Sequence, residues 1–403
     1  MPCSGVDFHS VEARRDPYPL YREARASRPV QYNPQTDFWM VFDYDRVRRV
    51  LNDNDLFGSD LAALAGQPTP PWIIFMDPPR HTKLRALVAG AFTHEVIASL
   101  QRRVKALAVQ LLEPAMRGNT MDFAAEVAIP LPLMVIAELI GAPSEDWPRL
   151  RHWSDVILSL SQTVKSHEAG VSAGANFRSA TAEMSQYLAG LIEQRRTARG
   201  NDVLSRIVHA EVDGERLSDH EIVVFVQLLL VAGNETTTNL LNNALLCFTE
   251  HPEELARLRH TPELLKPGIE EVLRYRSPLQ FMFRATRREA QIGDVTIPSG
   301  KRVLAMIGSA NRDPSRFLDP ERFAIGRDPN PHLAFGHGSH FCLGAALSRM
   351  EARVVLSEFL KRAERFELVD QHGWQPRAPL NVLGPERLPI RFERAMGHHA
   401  ALA

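Results

Sequence analysis

Ten consecutive residues, Phe335-Gly336-His337-Gly338-Ser339-His340-Phe341-Cys342-Leu343-Gly344, gather chemistry-bearing side chains and glycines into one loop. The glycines let the backbone fold tightly and come close to something flat or bulky. A helical stripe of Leu343, Leu347, Met350 and Val354 begins directly after, which puts Cys342 at or just before a helix N-terminus. Amide N–H groups and the helix dipole favour a thiolate there. A phosphate loop is excluded, because neither G-x-x-x-x-G-K-[ST] nor a strand-borne G-x-G-x-x-G is present. A nucleophilic cysteine with His340 as base is a second reading, poorly suited to the apolar Phe-Gly and Leu-Gly frame. A free buried cysteine in a turn is the plain third, against which ten coinciding positions weigh.

A second constellation is Ala232-Gly233-Asn234-Glu235-Thr236-Thr237-Thr238-Asn239. It lies on a helix opened by a capping box at Ser218 and Glu221, followed by Ile222 to Ala232, where Gln227 is the one polar residue. That run is too short to cross a bilayer and too apolar for a surface, so the helix is buried. Glycine, acid and β-branched hydroxyl residues are mediocre helix formers and predict a local bulge. A buried acid beside a hydroxyl can pass protons through water to a reacting atom. A polar seam against another helix explains so short a segment equally well.

The elements that must position these groups are mostly helical from Asp16 to Glu250, with proline at first-turn positions as in Asp77-Pro78-Pro79. His81 and Arg85 fall on one face of the helix begun there. Phe38–Phe42 reads as a strand, and Gln280–Met306 as a β patch with a hairpin at Ala290–Ile297 and a turn at Pro298-Ser299-Gly300. A helix Pro267–Arg276, ended by Pro278, carries Glu271 and Arg274; such a pair is ordinarily a weak surface contact. Gly58–Trp72 reads as a long apolar loop of the kind that covers a site, and residues 312–335 as a meander of turns. With no repeat, linker or composition break, the chain reads as one mainly α domain over 1–403 with a minor β region, flexible at 1–15 and 396–403.

Composition narrows the classes further. With 44% hydrophobic and 24% charged residues among 403, a disordered, collagen-like or polytopic membrane chain is excluded. Forty-seven basic against 48 acidic residues give no support for a nucleic-acid or acidic-membrane binder. Cys3, Cys247 and Cys342 form no C-x-x-C pair, against a disulfide framework, a zinc ribbon or an all-cysteine iron–sulfur cluster. The N-terminal residues lack a signal peptide's apolar core and a membrane anchor, which predicts a cytoplasmic protein.

Phe335–Gly344 resembles the haem-binding loop of the cytochrome P450 family, F-G-x-G-x-H-x-C-x-G, at every defined position. Ala232–Thr236 is similar to the family's A-G-x-[DE]-T, and Glu271-Val272-Leu273-Arg274 to its E-x-x-R, in the family's order. The N-terminus resembles the bacterial branch without a membrane anchor. The resemblance implies a cytochrome P450 fold, with haem b between the long central helix and the helix after Cys342. It implies Cys342 as the proximal thiolate ligand, Phe335 packed on the porphyrin, and Gly336, Gly338 and Gly344 allowing close approach. It makes His81, Arg85, Arg284 and His340 propionate partners, and Glu271 and Arg274 a buried structural pair with Arg322 or Arg327 as third member. Glu235 and Thr236 take the acid–alcohol role that delivers protons to dioxygen.

By the same resemblance the chain hydroxylates or epoxidises a lipophilic small molecule in a pocket lined by Leu228, Val231, Ala232, Met282, parts of Gly58–Ile74, and Gln280 as a polar handle. Electrons come from a ferredoxin or flavodoxin and its reductase, with NAD(P)H acting only through them. Arg349, Arg353, Arg102, Arg103 and Lys105 are candidates for a basic docking patch. A monomer is expected. The same residues serve oxidative coupling or desaturation, and a non-catalytic haem or lipophile binder is the remaining alternative.

Overall fold

A computed structural model describes residues 10–60, 71–159, 167–370, 373–377 and 379–395, with backbone alone for 158–159 and 167–175. Cys3, residues 61–70 of the expected covering loop, residues 1–9 and the tail 396–403 lie outside the described residues. Val11–Arg15, expected within a flexible end, form a helix capped by Ser10. Arg14 donates to the Arg377 carbonyl and Arg15 to that of Trp374 at 2.6 Å, tying this helix to a distant segment.

The central helix runs unbroken from Asp219 to Glu250, about 48 Å at the usual rise. Ser218 and Glu221 close its capping box. The bulge expected at Gly233–Asn239 is absent, and several of the polar side chains there find partners without opening the backbone. Thr236 donates to the Ala232 carbonyl at 2.9 Å, Thr238 to the Ala128 carbonyl at 2.9 Å, and Asn234 to the Ser154 hydroxyl at 3.4 Å. Gly233 serves close packing instead, since a Cβ there would meet Ile136 Cδ1 of helix Pro130–Leu139 at 2.9 Å. The helix also packs on His167–Thr197 and on Ala345–Arg362, the helix that follows Cys342.

The β region is built from ten strands among the described residues: β1 (Val30–Asn33), β2 (Phe38–Val41), β3 (Phe57–Gly58), β4 (Thr120–Asp122), β5 (Met282–Thr286), β6 (Ala290–Ile292), β7 (Val295–Ile297), β8 (Arg302–Ala305), β9 (Ala363–Leu368) and β10 (Pro389–Arg394). One sheet has the order β1-β2-β8-β5-β3 and another β4-β10-β9. β2 pairs with β8 in parallel, Phe38 opposite Arg302, and the sheet's other pairs are antiparallel. The expected hairpin is β6–β7, turned by Gly293 at φ +62°. Arg284 lies within β5 opposite Val303. The sheet's own apolar cluster, including Val41, Val47 and Val303, sits beside the larger helical core.

Candidate functional site

The Cys342 loop is held by its own backbone. The Cys342 N–H donates to the Phe335 carbonyl at 2.9 Å and the Gly336 N–H to Leu333 at 2.8 Å. Gly336 and Gly338 both have φ near +73°, where a side chain is strained. Gly338 also abuts helix Tyr44–Asn52, since a Cβ would meet Asn52 Oδ1 at 2.7 Å. Gly344 has neither need: its φ is −84° and a Cβ there would meet nothing within 4 Å. The chain by itself does not require that glycine, whereas a planar group lying against the loop would.

Ala345–Arg362 starts three residues after Cys342. Desolvation in the loop raises the thiol's pKa, against the Gly344 N–H on the sulfur and the charges of Arg85 and Arg349. Cys342 nonetheless keeps exposed surface, and a bound metal cation would hold its sulfur ionised.

Four side chains expected together are together, although they come from distant segments. Helix Arg80–Ala89 carries His81 and Arg85 on one face. Arg85 donates to the Phe341 carbonyl, directly before the cysteine. The His81 and His340 rings lie 4.1 Å apart, and Arg284 is buried beside them, its Nη1 donating to the Phe283 carbonyl at 2.8 Å. Burial, with His81 and Arg284 behind it, pushes the His340 pKa down to about 3, and burial takes Arg284 to about 10. Positive groups and imidazoles press on one another, and the one carboxylate opposing them, Asp77, already binds Arg287 and the Ser59 N–H. His81 Nδ1 and Arg284 Nε are buried with no partner. Donors in excess of acceptors fit the carboxylates at the edge of a haem. Ser59, whose hydroxyl lies 3.0 Å from His340 Nε2, belongs to the same group and carried no signal in the sequence.

Above the loop, Thr237 donates to Ser348 at 3.1 Å and so fixes the central helix to the helix after Cys342. Along the otherwise buried central helix, Ala232 is exposed, and Val231, Gly233, Glu235 and Thr236 are half-buried. Burial raises the Glu235 pKa, with Arg377 the opposing charge. Arg377 is a second residue that sequence reasoning missed. Its segment is anchored by Asn243 donating to the Leu383 carbonyl at 2.9 Å and by Gly384 packed on Asn239.

Of the expected pocket wall, Leu228 is buried and Met282 half-buried. Gln280 is a correction. Its amide donates to the Ser277 carbonyl at 2.6 Å and its side chain fills the space beside Gly308, so it is turned into the fold rather than toward a ligand.

Glu271 and Arg274 are fully buried and bidentate at 2.8 Å. Arg274 also donates to the carbonyls of Asn311, Pro320 and Arg322. The third side chain is Arg327, whose Nε reaches both Glu271 oxygens at 3.1 Å, while Arg322 offers only its backbone oxygen. The basic patch is largely neutralised: Arg349 binds Glu270, Arg103 binds Glu138, Lys105 lies 3.5 Å from Glu358, and Arg353 donates to Gln101. Of the five, Arg353 and Arg102 have no acidic partner among the described residues. There, too, no helix is long and apolar enough to cross a membrane.

The comparisons agree with this geometry. The family model for cytochrome P450 matches residues 169–388. Cytochrome P450 109 of Bacillus spizizenii is 39% identical over 387 residues, covering 96% of this chain and 94% of that protein. The crystal structure of substrate-free CYP109E1 from Bacillus megaterium superimposes with a TM-score of 0.90 at 37% identity, covering 95% of this chain and 100% of that one. The same protein in complex with corticosterone gives 0.87 at 37% identity over 94% and 99%. A cysteine loop beneath a long acid–alcohol helix, donors gathered at its edge and this likeness along nearly the whole length place the chain in the cytochrome P450 family, as a haem-dependent monooxygenase.

Proposed function

We propose that the chain, as one folded domain, oxygenates a lipophilic small molecule by hydroxylation or epoxidation, with Cys342 as the iron ligand. The observation that carries the reading is the convergence of His81, Arg85, Arg284 and His340 beside the Cys342 loop with unsatisfied donors. Haem, when bound, supplies oxygen activation at a thiolate-held iron. Arg85 and Arg284 then neutralise its carboxylates, and His81 and His340 donate to them. Gly344 and Gly336 leave room for the ring face and Phe335 packs near the sulfur.

Glu235 holds its proton to higher pH than an ordinary carboxyl because it is buried. It passes that proton through the Thr236 hydroxyl and water toward the oxygen side of the site. In the described structure that hydroxyl donates to Ala232, so it must turn to relay a proton. Leu228, Val231, Ala232 and Met282 present an apolar wall, and the related CYP109E1 was crystallised with a steroid, which supports a lipophilic substrate. Electrons reach the site from a separate ferredoxin or flavodoxin and its reductase.

Supplying the holoprotein with such a pair, NAD(P)H and isotopically labelled dioxygen should put one labelled atom into each product molecule. A panel of lipophiles that gives spectral binding and no product would favour a non-catalytic binder, and product without label would favour coupling or desaturation. Thr236→Ala is expected to keep haem and ligand binding while releasing more peroxide and forming less product per electron. Unchanged coupling in that variant rules out the relay.

A further inference from the structure

Behind the cysteine loop lies a charged group that the proposed reaction does not use. Arg349, on the first turns of the helix after Cys342, grips Glu270 with two hydrogen bonds of 2.8 and 2.7 Å. His332 Nε2 lies 3.1 Å from the same carboxylate, and its Nδ1 accepts the Ala334 N–H at 3.3 Å. Because Nδ1 is an acceptor, the ring proton sits on Nε2 and points at Glu270. The His332 side chain is almost wholly buried, whereas Arg349 is 36% and Glu270 26% exposed.

The group touches the site through Phe335. The Arg349 guanidinium carbon lies 4.4 Å from the centroid of that ring, and the His332 ring lies 6.2 Å from it. The Phe335 carbonyl accepts the Cys342 N–H. Left free, an arginine so close to the surface would sample many rotamers. Held by a fork to Glu270, it has one place, over the aromatic ring and within charge reach of the sulfur. Glu270 sits beside Glu271 on the same helix, where the buried pair with Arg274 anchors the backbone.

We propose that Glu270, Arg349 and His332 are positioning residues that set the charge around the Cys342 sulfur, and thereby the ease with which the bound iron is reduced. Arg349 supplies a positive charge that stabilises added negative charge at the site. Glu270 offsets that charge and fixes where it sits, and His332 orients Glu270. The inference rests on Cys342 being the iron ligand.

Its test is the ferric–ferrous midpoint potential of the substrate-free holoprotein, read with the absorption band of the reduced carbonyl complex. Glu270→Gln leaves Arg349 uncompensated and is expected to move the potential upward. Arg349→Gln removes the cation and is expected to move it downward. The thiolate band should remain in both. Opposite signs support an electrostatic role, because general loosening of the loop would move both variants the same way. Equal potentials, or shifts of one sign, overturn the proposal. Should Arg349→Gln fail to hold haem, Arg349→Lys keeps the charge without the fork. It is expected to give a downward shift with the band intact, and an unchanged potential would overturn the proposal. A wild-type protein without the thiolate band would instead refute the reading of Cys342, a result separate from all of these.

Discussion

Replacing Arg274 by alanine is expected to cost about 3–5 kcal/mol of folding stability, the range seen when one partner of a buried ion pair is removed. Neither member of this pair has any exposed side-chain surface. Loss of the guanidinium removes both bonds to Glu271 and takes its donor from the carbonyls of Asn311 and Pro320, while that of Arg322 keeps Arg327. Glu271 would keep Arg327, Asn330 and the Ala324 N–H, which hold the carboxylate but not the chain around it. Arg274→Lys should rescue little, because an ammonium lacks the planar fork that serves a carboxylate and three carbonyls at once. Denaturant unfolding of the holoprotein checks this; a midpoint within error of wild type would mean that the meander 311–330 does not depend on the pair.

The second large effect is expected at the iron ligand. Cys342→Ser should fold, since the loop is held by the Cys342 N–H to Phe335 and by Gly336 to Leu333, none of which involves the sulfur. The four side chains at the loop's edge should still retain some haem. The reduced carbonyl complex should lose the long-wavelength band of a thiolate-ligated iron, and oxygenation should fall to background, because an alcohol donates far less electron density than a thiolate. Wild-type spectrum and turnover in this variant would remove Cys342 from the mechanism and with it the proposed function.

What the sequence makes legible is local. The cysteine loop, the capping box at Ser218 and the Glu271–Arg274 spacing each lie within about ten residues of chain, and each forms within its own segment of the structure. Contacts that depend on remote partners were not legible. β3 pairs Phe57 with Thr286, and β10 joins β4 to β9, from segments whose neighbours no periodicity reveals. Ser59 meets His340 across 281 residues of separation. The resemblance makes Gln280 a polar handle of the pocket, yet the Ser277 carbonyl three residues earlier takes its amide. Arg349 and Arg103 read as free charges because Glu270 and Glu138 are distant in sequence and close only once folded. Weak intrinsic helix propensity at Gly233–Asn239 predicted a local bulge, whereas Thr238 and Asn234 bond to neighbouring elements from an unbroken helix.

The two arginines of the first helix fasten the backbone at Trp374 and Arg377, the stretch whose guanidinium is felt by Glu235. Two segments about 360 residues apart in the chain are thus fastened to one another. Loss of Arg14 and Arg15 would accordingly loosen the stretch that presents the Arg377 charge to Glu235.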